Sequence, residues 1–305
     1  MSKLTKNQQR YLSDFSLLFV AAVWGGGFVA VKDALNTLTP MFLMAIRFVM
    51  AAAILYLFLF KWIGKLTKED FKKGSVVGVI LFLAFSAQTI GLQYTTASKQ
   101  GFLTATYVVM VPLLSWVIYR KAPGFKAFVG SVITILGIGL ISFHGNSSFS
   151  LNLGDSLTLL CALLFAAHII SIEFFAKDMN VFKLAFLQIA VAAVLFVITA
   201  FIVEPIPEPL SARAWFAIVY LAIFSTFLCF TVQTVAQKYT TSSHASIILS
   251  LESVFAAIFG VLLLKEHMSP MMLVGCGLIF SAILIVELNF KKKPKAQIAE
   301  SGGAE

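Results

Sequence analysis

The sequence predicts an all-α integral membrane protein, with ten transmembrane helices arranged as two inverted five-helix repeats. Three observations carry this. Of the 305 residues, 59% are hydrophobic and only 12% charged, about half the charged share of a soluble domain. Mean hydropathy is +0.93, and apolar runs of about 18 or more residues recur along the whole chain, each long enough to cross a bilayer as a helix. The third observation is a phrase written twice. Tyr94-Thr95-Thr96-Ala97-Ser98 returns as Tyr239-Thr240-Thr241-Ser242-Ser243, 145 residues later.

Chain breakers bound the spans. They are expected near 14–31, 41–60, 75–93, 101–119, 127–143, 155–175, 183–203, 214–234, 245–264 and 271–288. Pro40 opens the second and Pro270 the tenth, while Pro205, Pro207 and Pro209 fill one link. Pro112 supplies a kink signal inside the fourth. Residues 14–143 form the first repeat and 155–290 the second. Residues 291–305 are a basic, polar tail, expected to be disordered.

Lysine and arginine set the orientation. With a cytoplasmic N-terminus, the cytoplasmic segments hold eighteen of the 23 basic residues. The other side holds Lys32, Lys99, Arg213 and Lys265, and Arg47 lies inside a span. Such a bias places both termini in the cytoplasm, and the bacterial inner membrane is the expected location. It also accounts for most of the net charge of +9, so nucleic acid is not an expected partner. Membrane lipid is, and the basic tail can meet anionic headgroups, although a topology signal explains it as well.

Several other classes lose support. Residues 1–31 have a basic start and an apolar run, as a signal peptide does, but a retained first span is the expected reading. Cys161, Cys229 and Cys276 each stand alone in a span, without metal or disulfide spacing. There is no Gly-x-x-x-x-Gly-Lys-Ser/Thr motif. No Ser-His-Asp or Cys-His arrangement converges. No cofactor, metal or enzymatic activity is therefore expected.

Sliding the second half onto the first by 145 residues places Phe82, Leu83, Phe85, Gln88, Tyr94, Thr95, Thr96 and Ser98 on identical residues, without a gap. A shift of 141 sets Arg47 on Gln188 and Trp24-Gly25 on Phe165-Ala166. An odd number of spans per copy makes the second copy enter from the opposite side. Inverted repeats of this kind suit alternating access, because each copy can adopt the conformation of the other.

The stretches Trp24-Gly25-Gly26-Gly27-Phe28-Val29-Ala30-Val31-Lys32, Ile46-Arg47-Phe48, Gly91–Ser98 and Leu251–Glu266, followed by Gly275-Cys276-Gly277, together resemble the drug/metabolite transporter superfamily in its ten-span EamA-domain branch. The resemblance covers roughly residues 14–290. It implies secondary export of amino acids, other metabolites or drugs through a central cavity between the halves. One departure matters: the family commonly reads Leu-Glu-Pro where this chain has Leu251-Glu252-Ser253. A break in the ninth helix is thus left without its proline.

Intramembrane polar residues are the candidates for binding a small-molecule substrate or coupling its movement to an ion. Glu252, about eight residues into its span, carries a coupling proton or holds a substrate amine; alternatively it caps backbone or fixes packing. His168 suits a relay or a substrate contact, or a hydrogen bond between helices. Arg47 is a permanent counter-charge, or its stem snorkels outward. Gln88 and Gln233, at matched places, line a cavity or tie helices together. Trp24 and Tyr107 can stack on a solute, whereas Trp62, Trp116, Tyr119 and Trp215 mark the membrane interfaces. A passive channel, an exchanger and a non-transporting membrane protein stay open as alternatives, as do monomer and homodimer.

Overall fold

The computed structural model describes residues 5–120, 125–144, 148–149 and 152–287. The basic tail from residue 291 lies outside them. Ten helical segments follow one another. The first half holds α1 (Lys6–Ala34), α2 (Pro40–Ile63), α3 (Lys68–Leu92), a segment split into α4 (Ala97–Ala105) and α5 (Tyr107–Tyr119), and α6 (Phe125–Ser142). A two-residue antiparallel pair, β1 (Phe143–His144) with β2 (Ser148–Phe149), leads into the second half. That half holds α7 (Leu153–Ala176), α8 (Val181–Val203), α9 (Ala212–Tyr220), a π-helix (Leu221–Leu228), α10 (Cys229–Ala236), α11 (Ser242–Leu249), α12 (Glu252–Leu264) and α13 (Pro270–Glu287). The π-helix joins α9 and α10 into one segment.

Among the described residues, eight of the ten segments are long and apolar enough to cross a membrane. The remaining two, α6 and α13, pack against each other. The first helix begins at Lys6, ahead of its apolar span, which runs from Tyr11 to Ala34 where 14–31 was expected. Thr5 and Gln8 form a capping box that carries the helix into the polar leader.

The repeated phrase marks a helix stop followed by a restart. Thr96 Oγ1 accepts from Lys99 N at 3.2 Å and Thr241 Oγ1 from His244 N at 3.3 Å, so matched threonines are the N-caps of α4 and α11. Both helices then break at matched places. Thr106 N donates to Leu103 O and Leu251 N to Ile248 O, each an i to i−3 bond that tightens the turn. The carbonyl of Thr106 then accepts from Val109 N and that of Leu251 from Val254 N. The ninth segment therefore breaks without a proline. In the fourth the break falls at Thr106, while Pro112 sits within α5. Arg120 and Lys265, again 145 residues apart, end α5 and α12 in the left-handed conformation, at φ 54° and 56°.

Small residues let the halves approach. Gly25 of α1 has no room for a side chain against Phe255 and Ala256 of α12. Gly74 and Gly78 of α3 lie against Leu187 and Val191 of α8. Gly91 of α3 meets Gly154 of α7, and Gly137 of α6 meets Ile279 of α13. In a bilayer, where burial of apolar surface gives no drive between helices, such close contact is what holds them. The core runs continuously through both halves.

Candidate functional site: a polar cavity between the halves

A cavity of about 40 Å³ lies where α1, α2, α3, α7, the π-helix, α10 and the two broken segments converge. Its walls include all seven residues singled out in the sequence: Trp24, Arg47, Gln88, Tyr107, His168, Gln233 and Glu252. That space admits only about three waters. A larger concavity, about 670 Å³, is an apolar groove on the outside of α1, α9 and α12, with the Asp33–Arg213 pair at one end. It faces where lipid would lie and gathers few polar groups, so the small central cavity is the candidate site.

Arg47 is 2% exposed, so its stem does not snorkel outward. Nε donates to Thr226 Oγ1 at 2.6 Å and the NH2 group to Ser225 Oγ at 3.0 Å. Both acceptors are on the π-helix. Thr226 Oγ1 in turn donates to Leu221 O, five residues back, which satisfies a carbonyl of the widened turn. The guanidinium lies 4.8 Å from the Phe85 ring centroid and 5.6 Å from that of Phe48, within cation–π range. Trp24 Nε1 donates to Ser225 O at 2.9 Å, and its ring packs on Phe230 at 5.1 Å.

His168 is tied down on one side. Its Nε2 lies 2.8 Å from Gln188 Oε1, and Gln188 Nε2 donates to Thr234 Oγ1 at 2.9 Å. That chain assigns the proton to Nε2 and leaves Nδ1, which has no partner, as an acceptor. Gln233 Oε1 and Gln100 Oε1 also lack partners among the described residues. Buried polar atoms are nearly always bonded. Three such atoms, His168 Nδ1, Gln233 Oε1 and Gln100 Oε1, belong to residues of one cavity wall and are available to a polar group that enters it. Gln88 makes one long bond, Nε2 to Thr104 Oγ1 at 3.5 Å.

Glu252 is buried and is the first residue of α12, immediately after the break. The positive end of that helix favours a negative group there. Tyr107 is the first residue of α5 and its hydroxyl faces the Glu252 carboxylate.

Three pairs spaced by 145 residues thus converge. Tyr107 and Glu252 are neighbours, Phe85 and Phe230 meet edge-to-face at 5.8 Å, and Gln88 and Gln233 line the same walls. The sequence reading missed Ser225, Thr226 and Gln100. A π-helix has no local signature, and serine or threonine in an apolar run reads as ordinary helix packing. Among the aromatic residues assigned to the interfaces, Trp62, Trp116 and Trp215 are about half exposed. The side chain of Tyr119 lies outside those described.

Polar ties join the halves at both ends of the cavity. At the Tyr94 end, Lys99 pairs with Asp155 at 2.8 Å, both side chains buried, and the Glu266 carboxylate accepts from Ala97 N at 2.7 Å and Ser98 N at 3.0 Å. Lys99 is therefore no exposed loop charge. At the Tyr239 end, Lys183 pairs with Asp70 at 2.7 Å, and His244 Nε2 lies 2.9 Å from Asp14. Glu173 accepts from Ser242 N at 2.8 Å and lies 3.5 Å from Lys177.

A helical membrane protein whose central cavity gathers polar side chains from both halves fits a solute carrier. The chain belongs to the EamA-like transporter family, whose model matches residues 12–143 and 152–288. An "uncharacterized transporter" of Archaeoglobus fulgidus is 36% identical over 283 residues, covering 92% of this chain and 87% of the relative. The S-adenosylmethionine/S-adenosylhomocysteine transporter of Chlamydia muridarum is 25% identical over 296 residues, covering 87% of this chain and 91% of its own. One solved crystal structure superposes with a TM-score of 0.69 at 14% identity, covering 93% of this chain and 97% of that one, which establishes a shared fold.

Proposed function

We propose that this chain is a secondary active exporter of small amphipathic solutes, amino acids or related metabolites, in a bacterial inner membrane with both termini cytoplasmic. It works by alternating access between two inverted five-helix repeats, residues 14–143 and 155–290. The observation that carries this is the meeting of matched residues. Tyr107 beside Glu252 and Phe85 against Phe230 are contacts between positions 145 apart. A residue touches its own counterpart only near a two-fold axis, and inverted-repeat transporters bind their solutes at such an axis. Matched helix breaks at Thr106 and Leu251 add support, since discontinuous helices line such sites.

In this reading the structure is a closed state. The chamber has room for only about three waters, and ties cross both ends. Opening the Tyr94 end requires Lys99 to leave Asp155 and Glu266 to release α4. Opening the other end requires Lys183 to leave Asp70. Glu252 carries the coupling proton or receives the amine of the solute, with Tyr107 as its neighbour. His168 and the two glutamines complete the polar lining.

The test is reconstitution into liposomes with an imposed pH gradient and a radiolabelled panel of amino acids, amphipathic drugs and S-adenosylmethionine. At least one solute should accumulate above equilibrium and saturate. Uptake that only equilibrates and ignores the gradient would make the protein a facilitator. No movement of any solute would leave it without a transport role.

A further inference from the structure

Of the charged residues in the cavity wall, neither Arg47 nor Glu252 has an ionic partner among the described residues. A guanidinium has five N–H donors. Here one on Nε and one on NH2 go to hydroxyls, and NH1 reaches only the Met44 sulfur at 3.9 Å. The rest meet no acceptor among the described residues. A buried cation held by neutral hydroxyls and two ring faces remains under-compensated.

Helix tethering does not explain the charge. The matched position in the second half is Gln188, which ties helices with a neutral amide, from His168 on one side to Thr234 on the other. A glutamine at position 47 could reach Thr226 or Ser225 in the same way. The remaining cavity groups sort by polarity. Glu252 carries negative charge, His168 Nδ1 is an acceptor, and Gln88, Gln100, Gln233 and Tyr107 are neutral, so Arg47 is the one cation among the described wall residues. The wall at Arg47 is where positive charge and free donors coincide.

We propose that Arg47 receives an anionic group of the transported solute, a carboxylate or phosphate ester, at the π-helical wall of the cavity. The inference rests on the transport reading above and assigns the class of group that the site selects. Ser225 and Thr226 act as positioning residues: they hold Nε and NH2 and so fix the guanidinium in the cavity wall. The widened turn supplies their placement.

Binding can be read without transport. Trp24 lines the cavity and is the natural reporter once Trp62, Trp116 and Trp215 are replaced by phenylalanine. The full chain in lipid nanodiscs is titrated with phenylpropanoate, phenylpropanol, phenylpropylamine and phenethyl phosphate, which share an aromatic body. At least one anion should change Trp24 emission saturably, about ten- to a hundredfold more tightly than the alcohol, the range of a charge-assisted bond. Arg47→Gln should erase that advantage while leaving the affinity for the alcohol within about threefold. Arg47→Lys should retain part of it. The stronger of the two anions identifies the preferred group. Anions that bind no better than the alcohol, no saturable change with either anion, or an advantage that survives Arg47→Gln would each overturn the assignment. If Arg47→Gln does not fold, the comparison of anion with alcohol in the parent still decides. A failed transport assay leaves this result standing, so the two readings fail separately.

Discussion

Tyr107 and Glu252 stand 145 residues apart, open α5 and α12 respectively, and meet across the central cavity. Each follows a break, at Thr106 and Leu251, that turns the helix start toward the centre of the molecule. At this matched pair one copy places a phenol and the other a carboxylate. The chemistry of the two halves thus diverges at the point of contact.

That divergence makes Glu252 the residue to test for coupling. Glu252→Gln is nearly isosteric and removes a charge that is costly in an apolar interior. The variant should express and fold like the parent. Gradient-driven transport in liposomes should fall at least tenfold, while equilibrium exchange of solute persists. A variant that responds to an imposed pH gradient as the parent does would assign Glu252 to packing.

The buried pair Lys99–Asp155 should behave as an ionic lock with a large penalty for half-removal. Asp155→Asn leaves the ammonium without a counter-charge, for a loss of about 3–5 kcal/mol. Lys99→Met together with Asp155→Asn should recover most of that loss. Thermal unfolding in detergent gives both numbers. Equal destabilisation by the single and the double change would show that the pair contributes little beyond packing.

The two N-capped turns should open in alternation. Ser98 is buried under Glu266, with its hydroxyl on that carboxylate, whereas Ser243 is only partly covered. Single cysteines at these places, in a background lacking Cys161, Cys229 and Cys276, report accessibility by labelling. A pH jump or added solute should raise labelling at one position and lower it at the other. A rise at both together indicates a continuous pore.

Topology is checked by reporter fusions. Fusions after Lys73, Lys126, Lys183 and Lys291 should read cytoplasmic, and those near Asn146 and Glu208 the opposite side. A fusion after Lys291 that reads external would remove the odd number of spans per copy, and the inverted relationship with it.

The sequence by itself determined the class, most element boundaries and the list of polar residues at stake. Long apolar runs can satisfy their backbone in lipid only as helices, and prolines mark several of their boundaries. A carboxylate, an imidazole and a guanidinium inside such runs are visible as anomalies because they are costly there. Tertiary structure alone decided how they meet. Nothing local says that Tyr107 faces Glu252, or that Arg47 looks for its partners on a widened turn about 180 residues away. The break at Leu251 was likewise hidden, because it is accompanied not by a proline but by serine hydroxyls bonded three residues back, Ser250 to Ile247 O and Ser253 to Ser250 O, and serines in an apolar run read as ordinary helix. Helix type and span follow from transfer of each residue between water and lipid, which is additive along the chain. The cavity depends on which helix faces touch, and that is settled by close contact at glycines such as Gly25 and Gly91.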